Sequence, residues 1–237
     1  MDFEVFADKV LVNVFGASLN IIQEGPSNPH LIGFNDMARQ QYNKFLFQDG
    51  ELSPLTGIMQ AKMSSMITEI PDRIHTVDMA DFVFSFAYRA AVASLFNSEL
   101  ADNAEVNKAF DNFDRVFAMV LAGVPISVFS SADRGRALVK NALLATFAKL
   151  SGPFMMARRS MFERFNFSDS DISTSNLAIL WASVGNTMPA AYWTLYFILT
   201  HKDALRAVEA ELASLFGLSG SNSCNISTND LANMKVF

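Results

Sequence analysis

The sequence predicts an all-α protein, and three observations carry that expectation. Apolar residues recur every three to four positions over most of the chain, the spacing that puts them on one face of a helix. Glycine and proline interrupt this pattern at intervals that suit helix ends. No segment keeps the strict alternation of a half-buried strand. About eight helices result, within one domain spanning residues 1–237 and with neither an internal repeat nor an inter-domain linker. A chain of 237 residues is long enough to bury a substantial core.

Taken in order, residues 3–15 alternate too irregularly to settle as helix or strand, and Gly16 ends them. Gly25, Pro26, Pro29 and Gly33 make 17–33 a loop. Asn35 or Asp36 is placed to cap a helix to Phe47, stopped by Asp49-Gly50, and 51–70 form a second helix. Met59, Met63 and Met66 share one side of it and read as core filling. Beyond Pro71, a helix runs from Val77 to Phe96 with Phe82, Phe86 and Ala90 in register. Arg89, among apolar neighbours, reads as a paired or snorkelling arginine. Another helix covers 105–122, ended by Gly123 and Pro125. The helix from Asp133 to Leu150 has a basic side, Arg134, Arg136 and Lys140, expected to face water. Residues 154–168 are amphipathic, setting Arg158, Arg159 and Arg164 against Phe and Met. Residues 202–216 form a charged amphipathic helix, 217–227 a loop rich in Gly, Ser and Asn, and 228–237 the start of another helix.

Residues 172–200 organise the rest, because this stretch carries no charged side chain. Leu177, Leu180, Trp181, Val184 and Met188 fall at helical spacing, and so do Tyr192, Leu195, Tyr196 and Leu199. Ala178, Ala182, Gly185 and Pro189 form a stripe of small residues, and Ser173 or Ser175 can cap the start. Pro189 has no N–H and its ring presses on the carbonyl four residues back, so the helix is expected to open at Gly185–Asn186. Three readings follow from the residues: a core helix, a transmembrane span, since the apolar length exceeds the roughly 20 residues a bilayer requires, or a helix facing a flat cofactor.

Composition narrows the function classes. With 51% hydrophobic and only 18% charged residues, some of the surface is expected to meet a membrane or further protein. A net charge of −6 without a basic cluster argues against nucleic acid. The chain does not open on a signal-peptide pattern. One cysteine excludes an internal disulfide and suits a reducing compartment.

The run Leu180-Trp181-Ala182-Ser183, then Gly185-Asn186-Thr187, Pro189-Ala190 and Trp193, resembles the long central helix of cytochrome P450 enzymes. His201-Lys202-Asp203-Ala204 to Glu209 and Glu211 is similar to their next helix. The Trp-Ala-Ser-x-x-Asn-Thr-x-Pro pattern is similar to the clan of cholesterol and oxysterol 7-alpha-hydroxylases, sterol 12-alpha-hydroxylase and prostacyclin synthase. Asp111-Asn112-Phe113, Asp114 to Phe117, Leu121 to Pro125 and Phe84 to Arg89 resemble the same clan upstream.

The resemblance implies that residues 1–237 are a single partial domain, a central fragment of the cytochrome P450 fold with the sheets and the heme-ligand loop outside the chain. It implies a heme held by a cysteine thiolate, and a monooxygenase hydroxylating a sterol or related lipid with O2 and electrons from NADPH–cytochrome P450 reductase. The alternatives are an isomerase of a lipid endoperoxide and a non-enzymatic membrane protein spanning at 172–200. The resemblance also implies the cytoplasmic face of the endoplasmic reticulum membrane. Ala182, Ser183 and Asn186 are expected against the heme, Asn186 and Thr187 at the oxygen groove, and Trp181 and Val184 beside the substrate, under a roof formed by residues 117–125. Many members carry an acid and then a threonine at the bend; here those positions align with Gly185 and Asn186, and an amide orients water without readily donating a proton. Cys224 does not fit the ligand loop: Phe216 stands one residue too far away and Ile226 replaces its last glycine. The fragment by itself is expected to be inactive.

Overall fold

The structure is a computed structural model and describes residues 10–18, 33–70, 76–150 and 152–216. A single π-helical turn, Val10–Phe15, precedes eleven α-helices among the described residues. These are α1 Phe34–Leu46, α2 Asp49–Thr68, α3 Met79–Leu95, α4 Ser98–Ala101, α5 Ala104–Asp114, α6 Phe117–Leu121, α7 Ser130–Phe147, α8 Pro153–Arg164, α9 Asp169–Val184, α10 Thr187–Thr200 and α11 Lys202–Phe216. No strand occurs among the described residues. The all-α expectation holds. Cys224, the 217–227 loop, the final helix and most of the 17–33 loop lie outside the described residues.

The chain divides into two compact units, Met1–Thr187 and Met188–Phe237. In the first unit α9 is the central element, packed on α7, α3 and the π-turn, while α5 lies along α7, α2 along α3 and α1 against α8. Two aromatic clusters fill this core. One joins Phe34, Phe147, Phe162, Phe165 and Phe167. The other runs from Tyr88 through Phe110 and Phe113 to Phe15, Phe117 and Trp181. Many of the 22 phenylalanines thereby serve packing. In the second unit, α10 is apolar around its whole circumference and leaves Trp193, Phe197 and Leu199 more than half exposed.

Helix ends follow capping chemistry that the chain reading only partly located. Residues Ser173 and Ser175 do not cap α9. The cap is Ser168, whose hydroxyl accepts from the Asp171 N–H at 3.2 Å and donates to the Asp171 carboxylate at 2.7 Å. A serine followed three residues later by an acid satisfies a free N–H and puts negative charge at the positive end of the helix dipole, which a mid-helix serine cannot do. Similarly, α1 starts one residue before Asn35, with Gly33 at its cap position. The predicted 105–122 helix is broken at Arg115–Val116 into α5 and α6, and Gly123, at φ +102°, ends it as expected.

The side expected to face water on α7 does so only at Arg134. Arg136 is half-buried, donating to the Val14 carbonyl at 3.1 Å and to Asp133 at 3.0 Å, and burial pushes the Lys140 amine below its usual range. Both side chains are covered by neighbouring structure that helical spacing does not reveal. On α3 the inward stripe contains Val83 and Ala90, and Phe82 is exposed.

Arg89 is a paired arginine. It donates to Asp102 at 2.7 and 3.0 Å, and Lys62 donates to both oxygens of the same carboxylate at 2.7 Å. Partial desolvation opposes ionisation of Asp102, but these hydrogen bonds and charges outweigh it and hold its pKa below the ordinary value. The stabilisation from a depressed carboxylate is present above the unfolded pKa and disappears as pH falls through the folded one. Asp102→Asn is therefore expected to lose about 0.5–1 kcal/mol at neutral pH, the modest value of a partly exposed cluster. Urea unfolding at stepwise pH is expected to show the wild-type advantage down to about pH 4 and its disappearance below. A gap independent of pH contradicts this assignment.

Candidate functional site

The expected opening of the central helix is present: α9 ends at Val184 and α10 begins at Thr187. Local chemistry acts on this point from both sides. Pro189 removes the N–H that the Gly185 carbonyl would otherwise accept in a continuous helix. The Thr187 hydroxyl donates to the Ser183 carbonyl at 2.9 Å, and the Ser183 hydroxyl to that of Leu180 at 2.7 Å. Such back-bonding competes with the backbone ladder and bends helices. The interruption follows from the local sequence.

Ala182, Asn186 and Thr187 are exposed beside the opening, and Ser183 is half-exposed. Together they form a small-residue surface with one amide and two hydroxyls. The Thr187 proton is engaged by Ser183, so its oxygen is left chiefly as an acceptor. Asn186 is the residue here with both an amide donor and an acceptor facing solvent. Val184 is 0% exposed and belongs to the core, away from this surface.

Trp181 is held on several sides. Its indole N–H donates to Asp114 at 2.8 Å, and Phe117 stacks on it at 3.9 Å with the rings 6° apart. Phe15 meets both rings at 6.0 Å. A Cβ added at Gly185 would fall 3.0 Å from indole Cε2 and 3.2 Å from Cζ2. No ligand fits between Phe117 and Trp181 at that separation. The segment expected as a roof thus rests directly on the central helix at its first residue. Asp114 is largely desolvated, which raises its pKa; the Trp181 hydrogen bond opposes that shift and the nearby Asp111 charge adds to it.

Arg158 is 0% exposed, a placement that the amphipathic pattern of 154–168 does not reveal. Its guanidinium donates to the Tyr42 hydroxyl at 3.1 Å, the Ser175 hydroxyl at 3.0 Å and the Asn176 side-chain oxygen at 3.2 Å. Phe162 and Phe154 lie against it at 5.1 and 5.8 Å. Among the described residues no carboxylate pairs with it, and burial lowers its pKa. It ties α1 and α8 to the N-terminal half of α9. The available signal was the run Ser175-Asn176, a polar pair inside an uncharged apolar stretch.

Residues 151–237 match the family described as cytochrome P450. Over 189 residues the chain is 31% identical to cytochrome P450 7A1 of Oryctolagus cuniculus, covering 72% of this chain and 37% of that protein. The chain belongs to the cytochrome P450 family. It is 24% identical to cytochrome P450 7B1 of Mus musculus over 206 residues, 80% of this chain and 40% of the other. It is 26% identical to prostacyclin synthase of Homo sapiens over 243 residues, 91% of this chain and 45% of the other. The chain spans less than half the length of these three relatives.

The cofactor of cytochrome P450 is heme. The surface at Ala182 and Asn186 fits one face of such a planar group: it is open, bears small side chains and offers one amide where the backbone ladder is interrupted. No cysteine lies among the described residues. The transmembrane reading of 172–200 is overturned. That stretch is divided between helices of 16 and 14 residues, and among the described residues no helix is long and apolar enough to cross a membrane.

Proposed function

We propose that this chain forms the central part of a heme-dependent monooxygenase that hydroxylates a sterol or related lipid, with O2 as oxidant and electrons from a reductase. The observation that carries the reading is the interrupted central helix, with Ala182 and Asn186 exposed where it opens. Relatives named cholesterol 7-alpha-monooxygenase (Cricetulus griseus) and 25-hydroxycholesterol 7-alpha-hydroxylase (Rattus norvegicus) supply the substrate class. In the same proposal both units belong to one domain, whose remaining part covers the exposed rings of α10. The working place is the cytoplasmic face of the endoplasmic reticulum membrane.

Bound heme would supply oxygen activation and electron transfer at iron. The residues here would provide placement. Ala182 and Ser183 would seat the macrocycle, since small side chains allow close approach of a flat group. The Asn186 amide would orient water or oxygen by hydrogen bonds, and the Thr187 oxygen would accept from that water. Trp181 would present an edge to substrate, because Phe117 covers a face. Val184 would act one layer behind, through packing.

A second reading is favoured by one observation: position 185 carries no acid, and a Cβ there would press on the Trp181 indole at 3.0 Å. A site without a proton donor suits an isomerase, which requires neither external electrons nor protons. The test uses a longer chain that includes a downstream cysteine loop. An absorption band of the ferrous–carbon monoxide form characteristic of thiolate ligation is expected, with NADPH consumed during lipid turnover. Turnover of a lipid endoperoxide without NADPH selects the isomerase, and absence of the thiolate band defeats both.

A further inference from the structure

We propose that Asp114 is a positioning residue for the opened turn of the central helix: it holds the Trp181 indole against Gly185 and, through that ring, seats Phe117 and the segment that follows it. The meaning of the site rests on the monooxygenase reading above; the interlock itself does not. Four contacts from separate parts of the chain converge on one ring. Asp114 at the end of α5 accepts the indole N–H at 2.8 Å, and Phe117 at the start of α6 stacks on the ring at 3.9 Å. Phe15 of the π-turn lies at 6.0 Å, and the Gly185 backbone leaves only 3.0 Å between a notional Cβ and the indole. The two halves of the predicted 105–122 helix therefore reach Trp181 from either side of their own break at Arg115–Val116.

The consequence concerns position 185. A Cβ there stands 3.0 Å from the indole, so the ring must give by a few tenths of an ångström to admit it. A side chain at 185 presses on the ring that Asp114 and Phe117 hold in place, so the interlock disfavours an acid at the bend. It also couples the roof to the bend, because residue 117 cannot shift without uncovering Trp181. Asp114 and Trp181 are 67 residues apart in sequence, and nothing in helical spacing joins them.

The chain has two tryptophans, and Trp193 is 53% exposed, so Trp193→Phe leaves Trp181 as the only tryptophan, read with excitation at a wavelength that the four tyrosines do not absorb. In that background, Asp114→Leu in the 237-residue chain is expected to shift emission to the red and to raise acrylamide quenching severalfold. Asp114→Asn keeps an oxygen acceptor and is expected to stay near the parent in both. Gly185→Ala is expected to move emission with Asp114 intact, since the added carbon displaces the ring. Asp102→Asn, which loosens the fold away from Trp181, is expected to leave emission unchanged. Unchanged emission and quenching in Asp114→Leu overturn the proposal, and so does an Asp114→Asn variant as disturbed as the leucine. Should Asp114→Leu not fold, Asp114→Ala is measured in its place: unaltered emission and quenching there overturn the proposal. These readings need no heme, so failure of the thiolate spectrum leaves them standing, and their failure leaves that spectrum untouched.

Discussion

Arg158→Ala is expected to destabilise the first unit by about 3–5 kcal/mol, through a large cavity and three stranded polar partners. Removal of the guanidinium leaves Tyr42, Ser175 and Asn176 without their donor, and among the described residues the Asn176 amide nitrogen already has no partner. A different substitution separates packing from charge. Among the described residues this cation has no carboxylate, so its desolvation is offset only by neutral hydrogen bonds and two aromatic faces. Replacing buried charges and their partners with apolar groups of similar volume is often neutral. The double variant Arg158→Met/Asn176→Leu is therefore expected to recover most of the loss. Urea denaturation of the three proteins gives the comparison. A loss below about 1 kcal/mol in Arg158→Ala means that the pocket is wetter or looser than its 0% exposure implies.

Gly135→Ala is the second large effect, and its sign opposes helix propensity. Alanine is better than glycine in a helix interior by about 1 kcal/mol, and at an open position that gain is realised. At Gly135 an added Cβ would stand 2.5 Å from the Ala109 carbonyl oxygen, a backbone atom of α5 that cannot rotate aside. The two helices must separate, disturbing the packing of α7 against both α5 and α9. Overpacking of this kind costs about 1–3 kcal/mol, so a net loss is expected. Gly57 is the control, exposed in the interior of α2 with nothing within 4 Å of a notional Cβ. Gly57→Ala is expected to stabilise by up to about 1 kcal/mol. Thermal melts of the pair test both signs, and equal shifts in one direction refute the close-approach argument.

Much of the site was legible along the chain because its causes are local. Pro189, the threonine and serine hydroxyls and the small residues between them act within one or two turns, so the opening at Gly185–Asn186 follows from covalent chemistry and from hydrogen bonds to nearby carbonyls. The same holds for Gly123 at the end of α6 and for the paired state of Arg89, whose apolar neighbours signalled a need for a partner. The Met59, Met63 and Met66 stripe points inward as its spacing indicates, with Met66 buried.

Other features depend on what a helix meets. Periodicity says that a residue lies on a face, not which neighbour covers that face. Arg158 and Arg164 stand on the same helix in similar company, yet Arg158 is fully buried and Arg164 exposed. The difference lies in Tyr42 and Asn176, brought to Arg158 from 116 and 18 residues away. Val184, at the right spacing to line a cavity, turns into the core.

By itself the sequence determined the helical class, the family and the position of the opening, since each is written in short-range pattern or motif. The partner of Trp181, the burial of Arg158 and the closeness of α5 to α7 were decided by tertiary structure alone. Those contacts join residues distant in sequence, and only the packing of one helix on another sets which groups lose water and which atoms touch.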